Sequence, residues 1–421
     1  MKQRTREICK SLVILLLLLS VVLLSLSAVF YSGAEIPFLN GLASRLRGEA
    51  DQPPVRAQEL ALTDAAVPSL ISVRTDAGRA SFWGARGEQS GVYESLGGYL
   101  AEALDTAGET TGVTEEAFLE AAMGDSLLFC FPGEVPLPVL AAWMDAYSER
   151  FLSADLFLLE VQDSAVRLLL KGQLGCFAME TRAAAGPLLR ALRSFPDDGT
   201  RLAAETGDAV YRHLNPLTLV DPSAVSMSAA HSSNPCDEAF LTAAAETLGF
   251  NPYGDASYRD AAGSLVFTEA DCSMRADSDG VIILRSQPQS SRFRAAGSDD
   301  GACIEFVRAL LDRMADGRLG DANLQFTGVR HDDGHTTVEF SYILSGLPVL
   351  QSGGKPAAEA QFTGAALTDL QFRVRSYSLS QTETAALLPP AQTAAALEDG
   401  AALRLAYADL GEEKLSAGWL R

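Results

Sequence analysis

Apolar and polar positions divide the chain into one long uncharged run and a long remainder where apolar residues recur at short periods. Residues 11–29, SLVILLLLLSVVLLSLSAV, carry no charge. As a helix rising about 1.5 Å per residue the run matches a hydrocarbon core of roughly 30 Å, and it predicts a single transmembrane helix over residues 11–31. Lys2, Arg4, Arg6 and Lys10 precede it against a single Glu7. That positive excess predicts a cytoplasmic tail at 1–10 and an extracellular remainder, hence a single-pass protein of the cell membrane. A cleaved signal peptide, with Ser32-Gly33-Ala34 as its cleavage site, is the alternative, but the apolar region of such peptides is shorter, about 7–15 residues. Ser20 and Ser27 lie seven apart, near one face of the span. Small polar residues so placed predict contact with a partner's membrane helix.

After the span the pattern predicts an α+β protein. Residues 32–60 form a stalk in which Pro37, Pro53 and Pro54 limit regular structure. A first α+β domain follows at 61–215. Its short strands at 70–74 and 79–83 flank Asp76-Ala77-Gly78, and residues 94–107 are an amphipathic helix. Thr114 caps a second helix ending at Met123, with Glu115 and Glu116 placed favourably at its positive end. A buried strand at 126–131 and a helix at 138–147 lead to strands at 156–161, 165–171 and 174–180, and then a helix at 185–195. Residues 216–234, rich in Ser, Asn and Pro, read as a loop-like linker. Beyond it one pattern recurs. The module at 235–298 has a helix over 237–248 and strands at 264–268, 272–275 and 281–285. The module at 299–421 has a helix over 300–314 and strands at 324–330, 336–344, 358–363 and 372–378. Its tail carries helical segments at 381–387 and 393–397 and a last strand at 402–407. A helix followed by a meander, twice, predicts antiparallel sheets with helices on one face.

Charge and chemistry narrow the function classes. Lys and Arg total 33 against 54 Asp and Glu, a net charge of −21. Such a surface repels nucleic acid and anionic headgroups. Cys9 borders the span, and Cys130, Cys176, Cys236, Cys272 and Cys303 follow it, an odd number with no CxxC motif, so no disulfide scaffold is expected. Cys130 and Cys176 sit in apolar runs, as buried thiols do. His331-Asp-Asp-Gly-His335 has the spacing of a helical metal pair, but Asp333-Gly334 is a hairpin signal, and the two directions then depend on register. Asp277-Ser-Asp-Gly280 opens like a calcium loop, yet Pro288 stands where a bidentate Glu is needed, so a β-turn is expected. GxSxG, HExxH and phosphate-loop motifs do not occur. His213 and His231 read as surface residues. Neither an enzyme nor a cofactor protein is expected.

Two segments carry a family resemblance. Residues 248–285, LGFNPYGDASYRDAAGSLVFTEADCSMRADSDGVIILR, run from a helix through Asn-Pro and Tyr to an apolar strand with Phe267 and Glu269, then to an Asp-Gly hairpin. Residues 338–377 contain FSYILSGLPVL and AAEAQFTGAALTDLQFRVRSY. Together they resemble the C-terminal part of the YycH/YycI family of two-component-system regulators of Gram-positive bacteria, and the length suits the YycH type. The resemblance implies one N-terminal membrane helix, matching residues 11–29, and an extracytoplasmic α+β region of related modules. It further implies contact with the sensor histidine kinase WalK, which controls cell-wall signal transduction, and possible pairing with a sister protein. A PepSY-like extracytoplasmic module binding a peptide, protease or wall precursor is the competing reading, since one-faced sheets host many functions. Trp83, Trp143 and Trp419 are candidates for a ligand surface, though isolated tryptophans are more often packed.

Overall fold

The computed structural model describes residues 65, 67–84, 90–220, 226–253, 257–269 and 271–420. The expected membrane helix at 11–31, the stalk at 32–60, and Ser20 and Ser27 lie outside them. Among the described residues no helix is long and apolar enough to cross a membrane.

The centre of the first sheet is built from strands whose middles are apolar. In chain order the elements are β1 (Leu70–Thr75), β2 (Gly78–Trp83), α1 (Ser90–Thr106), β3 (Thr110–Val113), α2 (Glu115–Met123), β4 (Ser126–Pro136), α3 (Leu137–Trp143), β5 (Ser153–Gln162), β6 (Ala165–Gly172), β7 (Gly175–Glu180) and α4 (Ala185–Leu192). The seven strands pair antiparallel in the order β2-β1-β4-β5-β6-β7-β3. Successive side chains of a strand point to opposite faces. Leu127, Phe129, Phe157, Leu159, Leu168 and Leu170 therefore enter one cluster with Leu96, Leu100 and Leu104 of α1 and Leu188 and Leu192 of α4. Leu128, Leu158 and Leu169 enter a second cluster with Phe118, Ala121 and Ala122 of α2. The expectation of helices on one face is corrected here: runs such as LLF and FLL leave both faces apolar, and α2 covers the second. Its cap is as expected, the Thr114 hydroxyl accepting from Ala117 N at 3.2 Å.

A polar knot closes this sheet. The chain continues through β8 (Arg201–Leu202), α5 (Ala203–Thr206) and β9 (Leu219–Val220). Arg79, 1% exposed, donates to Ser72 Oγ at 3.2 Å, Ala122 O at 2.8 Å and both oxygens of Glu205 at 3.1 Å. Burial pushes the Glu205 carboxyl up, but Arg79, the Leu202 amide and Arg74 outweigh it and leave it below its ordinary value. Asp197 receives two bonds from Arg201, at 2.8 and 2.9 Å, and one from Arg79 N at 3.0 Å. These hold its carboxyl well below the usual range.

The second sheet alternates. Its elements are β10 (Ser228–Ser233), α6 (Glu238–Thr247), β11 (Ser257–Arg259), β12 (Leu265–Thr268), β13 (Cys272–Ala276), β14 (Val281–Ser286), α7 (Asp300–Ala315), β15 (Ala322–Asp332), β16 (His335–Leu344), β17 (Leu347–Gln351), β18 (Ala358–Thr363), β19 (Ala366–Arg373), β20 (Ser376–Thr384), α8 (Pro390–Ala394), β21 (Arg404–Asp409) and β22 (Ser416–Leu420). Eleven of these strands form one sheet, and β10 pairs with β20 beside it. Val338 and Phe340, Ala358 and Ala360, Leu370 and Phe372 are buried while Glu339, Glu359 and Gln371 between them are not. The buried set meets Phe240, Leu241 and Ala244 of α6 and Ile304, Val307 and Leu311 of α7. Asp237 and Asp299 cap these helices, accepting from Phe240 N at 2.7 Å and Ala302 N at 3.0 Å.

Each helix is followed by antiparallel strands, and the last strands of the two runs, β14 and β19, pair with each other antiparallel, Ile283 opposite Gln371. The two expected modules thus share one sheet. Several expectations fail locally. Residues 216–234, expected as a loop, hold β9 and β10, with Ser232 N bonded to Glu413 O at 2.7 Å. Residues 381–387, expected helical, belong in part to β20, because pairing with β10 overrides the helix propensity of Gln-Thr-Glu-Thr-Ala-Ala. The expected strand at 372–378 divides into β19 and β20. The last strand is β22; it pairs with β21, which joins β17 in parallel.

Candidate functional site

The two sheets meet where glycine allows them to. Between Cys130 and Val135 the pairing of β4 with β5 slips, and the bulge presents Gly133 to β15. A Cβ at Gly133 would run into the Thr327 carbonyl. A Cβ at Gly84, at φ +77°, would likewise run into the Ser345 carbonyl in the β16–β17 turn. Around this seam the Trp143 ring meets Phe326 edge-on at 6.0 Å, and its indole N–H donates to Glu305 at 2.6 Å. Trp83 meets Trp419 at 5.2 Å and 87°. All three tryptophans are packed at the junction, and Trp143 also faces a cleft.

That cleft has a volume of about 1010 Å³. One wall is the start of α3 with the segment after it: Pro138, Val139, Ala142, Trp143 and Met144. Pro136 and Pro138 start α3 without loss, because first-turn amides have no intrahelical acceptor. Asp145 turns the chain away in a left-handed conformation, φ 54°. The mouth carries Phe151, 96% exposed, and Leu174, 74% exposed, the latter at the β6–β7 turn. The opposite wall is the first turn of α7 with the tip of the β15–β16 hairpin: Asp299, Asp300, Gly301, Glu305 and His331.

This wall is acidic, and its carboxylates differ in how far they are engaged. Asp299 caps α7. Glu305 holds Trp143 and pairs with Arg308. Asp300 lies 3.2 Å from His331 Nε2. The Asp145 carboxylate is exposed and has no partner among the described residues.

The residues singled out in the sequence scatter. Asp333 and Gly334, at φ 48° and 80°, make the expected hairpin turn. Its register sets His331 opposite Thr336 and His335 opposite Asp332, so the two imidazoles leave opposite faces. His335 Nδ1 meets Thr363 Oγ1 at 3.1 Å, away from the cleft. The pair is therefore unable to bind one ion, and no group of three or more ligands occurs among the described residues. Asp277 accepts from Asp279 N at 3.0 Å and Val281 N at 2.8 Å, closing the β13–β14 turn. The five described cysteines are free. Burial pushes the thiols of Cys236, Cys272 and Cys303 up to about 11, so they stay protonated and inert near neutrality. His213 holds Ala394 O at 2.9 Å, tying the segment after α5 to α8. Sequence reasoning missed the cleft. A large apolar residue at a turn tip, Leu174 in Gly-Gln-Leu-Gly, was its one local signal.

No family model matches the chain, and no curated protein matches it in sequence. Among solved structures the chain is similar to YycH from Bacillus subtilis, with a TM-score of 0.51 and 12% identity. The likeness covers 84% of this chain and 93% of that one. The mixed α+β arrangement of antiparallel sheets and helices is thus a YycH-like fold.

Proposed function

We propose that the chain is a membrane-anchored extracytoplasmic regulator that contacts a sensor histidine kinase of a cell-wall two-component system and alters its activity. The observation that supports this is the YycH-like fold over most of the chain. The uncharged run at 11–29 and the basic residues before it support an anchor with the N-terminus inside. Such a protein works by linkage. If its helix and ectodomain bind one state of the kinase more tightly, the difference in affinity shifts the equilibrium toward that state. A coupling of about 1–3 kcal/mol changes output roughly 5–150-fold, with no chemistry in this chain. Ser20 and Ser27 are the proposed contact within the membrane.

The test is photocrosslinking in cells from positions 20 and 27, with captured proteins identified by mass spectrometry. Capture of a sensor histidine kinase is the expected result. Captures without a kinase, or a mature chain lacking the helix, overturn the reading in favour of a free-standing binding module, a role the apolar cleft would suit. Replacing both serines by Leu should lower co-purification with the kinase; unchanged co-purification removes the membrane contact from the proposal.

A further inference from the structure

The cleft between the two sheets is a feature that the regulator reading leaves unused. We propose that it is a docking groove for a segment of a partner protein presenting apolar side chains flanked by Lys or Arg. The inference goes beyond the regulator reading and does not depend on which kinase is bound.

Three observations carry it. Phe151 and Leu174 stand at the mouth with most of their surface in water, beside the apolar wall of Val139, Ala142 and Met144. Contiguous exposed apolar surface rimmed by polar groups marks interaction sites. The second observation is charge. Asp145, Asp299, Asp300 and Glu305 line the cleft against His331 as its one basic side chain. The positive end of α7 also points here, but Asp299 caps it and Asp300 sits in its first turn, so the wall remains a site for a cation. Asp145 and Asp300 are the available carboxylates, and an incoming Lys or Arg would displace His331 from Asp300. Third, about 1010 Å³ lies at the upper end of the roughly 300–1,000 Å³ of small-molecule sites, and the cleft opens along the seam. Apolar anchors inside a polar rim are how partner segments are gripped.

The test uses the full chain in phosphatidylcholine nanodiscs, with empty nanodiscs as blank. Two short labelled peptides share Leu and Phe at the same positions and differ in carrying Lys or Glu between them. Fluorescence anisotropy should show binding of the Lys peptide and not of the Glu peptide. Phe151→Ser with Leu174→Ser should weaken binding about tenfold or more. Both side chains are exposed, so the fold stays intact. Asp145→Asn with Asp300→Asn should weaken it similarly. Asp312→Asn with Asp316→Asn makes the same charge change roughly 18 Å along α7 or more and should leave binding intact. Equal binding of both peptides, equal loss in both Asn pairs, or no effect of the apolar pair overturns the proposal. So does apolar-pair-dependent binding to anionic vesicles, which would make the cleft a membrane contact. Peptide binding without kinase capture, or the reverse, separates this proposal from the regulator reading.

Discussion

The two large sheets solve the same problem in different ways. In the seven-stranded sheet the middles of β4, β5 and β6 bury consecutive residues, because α1, α3 and α4 cover one face and α2 covers the other. In the eleven-stranded sheet β16, β18 and β19 bury alternate residues, with α6 and α7 on one face and water on the other. Antiparallel sheets commonly leave a face to water. The first sheet departs from that habit through one helix of two and a half turns. Its second face rests on Phe118, Ala121 and Ala122, helped by Leu202 and Leu219, so a small element carries a large share of the order.

The largest expected effects test this contrast directly. Phe157→Ala and Leu158→Ala, neighbours facing opposite clusters, should each lower unfolding free energy by about 2–5 kcal/mol in urea titrations. On the second sheet Phe372→Ala should cost about 3–5 kcal/mol, while adjacent Gln371→Ala should stay within about 0.5 kcal/mol. A harmless Leu158→Ala would break the comparison. Glu205→Ala leaves the buried Arg79 guanidinium without its nearest carboxylate and should cost about 3–5 kcal/mol. A value near zero would show that water reaches Arg79.

Gly133→Ala tests the seam rather than either sheet. The Thr327 carbonyl must move, so a loss of about 1–3 kcal/mol is expected. The same substitution at Gly98, which has open space, should cost nothing comparable.

Acid sharpens the contrast with the smallest effects. Asp197 is depressed in the fold, so the unfolded chain binds more protons as pH falls through the ordinary carboxylate range. Its stabilisation is present above about pH 5 and is lost on acidification below about pH 4. Asp197→Asn should flatten that fall. Glu339 on β16 has the opposite sign. Burial raises its carboxyl despite nearby Arg330, so its contribution is present at low pH and is lost as pH rises through its folded value. Glu339→Gln should flatten the curve above about pH 4. Thermal melts across pH check both.

Much of this was legible in the chain. Strand middles, the helix cap at Thr114 and the Asp333-Gly334 turn depend on neighbours close in sequence, and each lies where local rules put it. The α+β class was legible for the same reason, and the fold likeness to YycH agrees with the resemblance seen in residues 248–285 and 338–377. The failures are non-local. Nothing near Gln381 says that β10 will pair there. Runs such as Leu-Leu-Phe announce burial without saying which helix supplies it. The cleft joins residues near 143, 174 and 300 that share no pattern.

The Trp83–Trp419 contact gives the order of synthesis a cost. About 330 residues separate the two rings, and β22 can join only once all of them have been made. At roughly 5–20 residues per second, β2 waits on the order of 20–70 s for its partner. During that interval the apolar flank of Trp83 that Trp419 covers is open to other chains. A cell making this protein therefore needs either a holding chaperone or low local abundance, and truncation before Ser416 should aggregate rather than merely loosen.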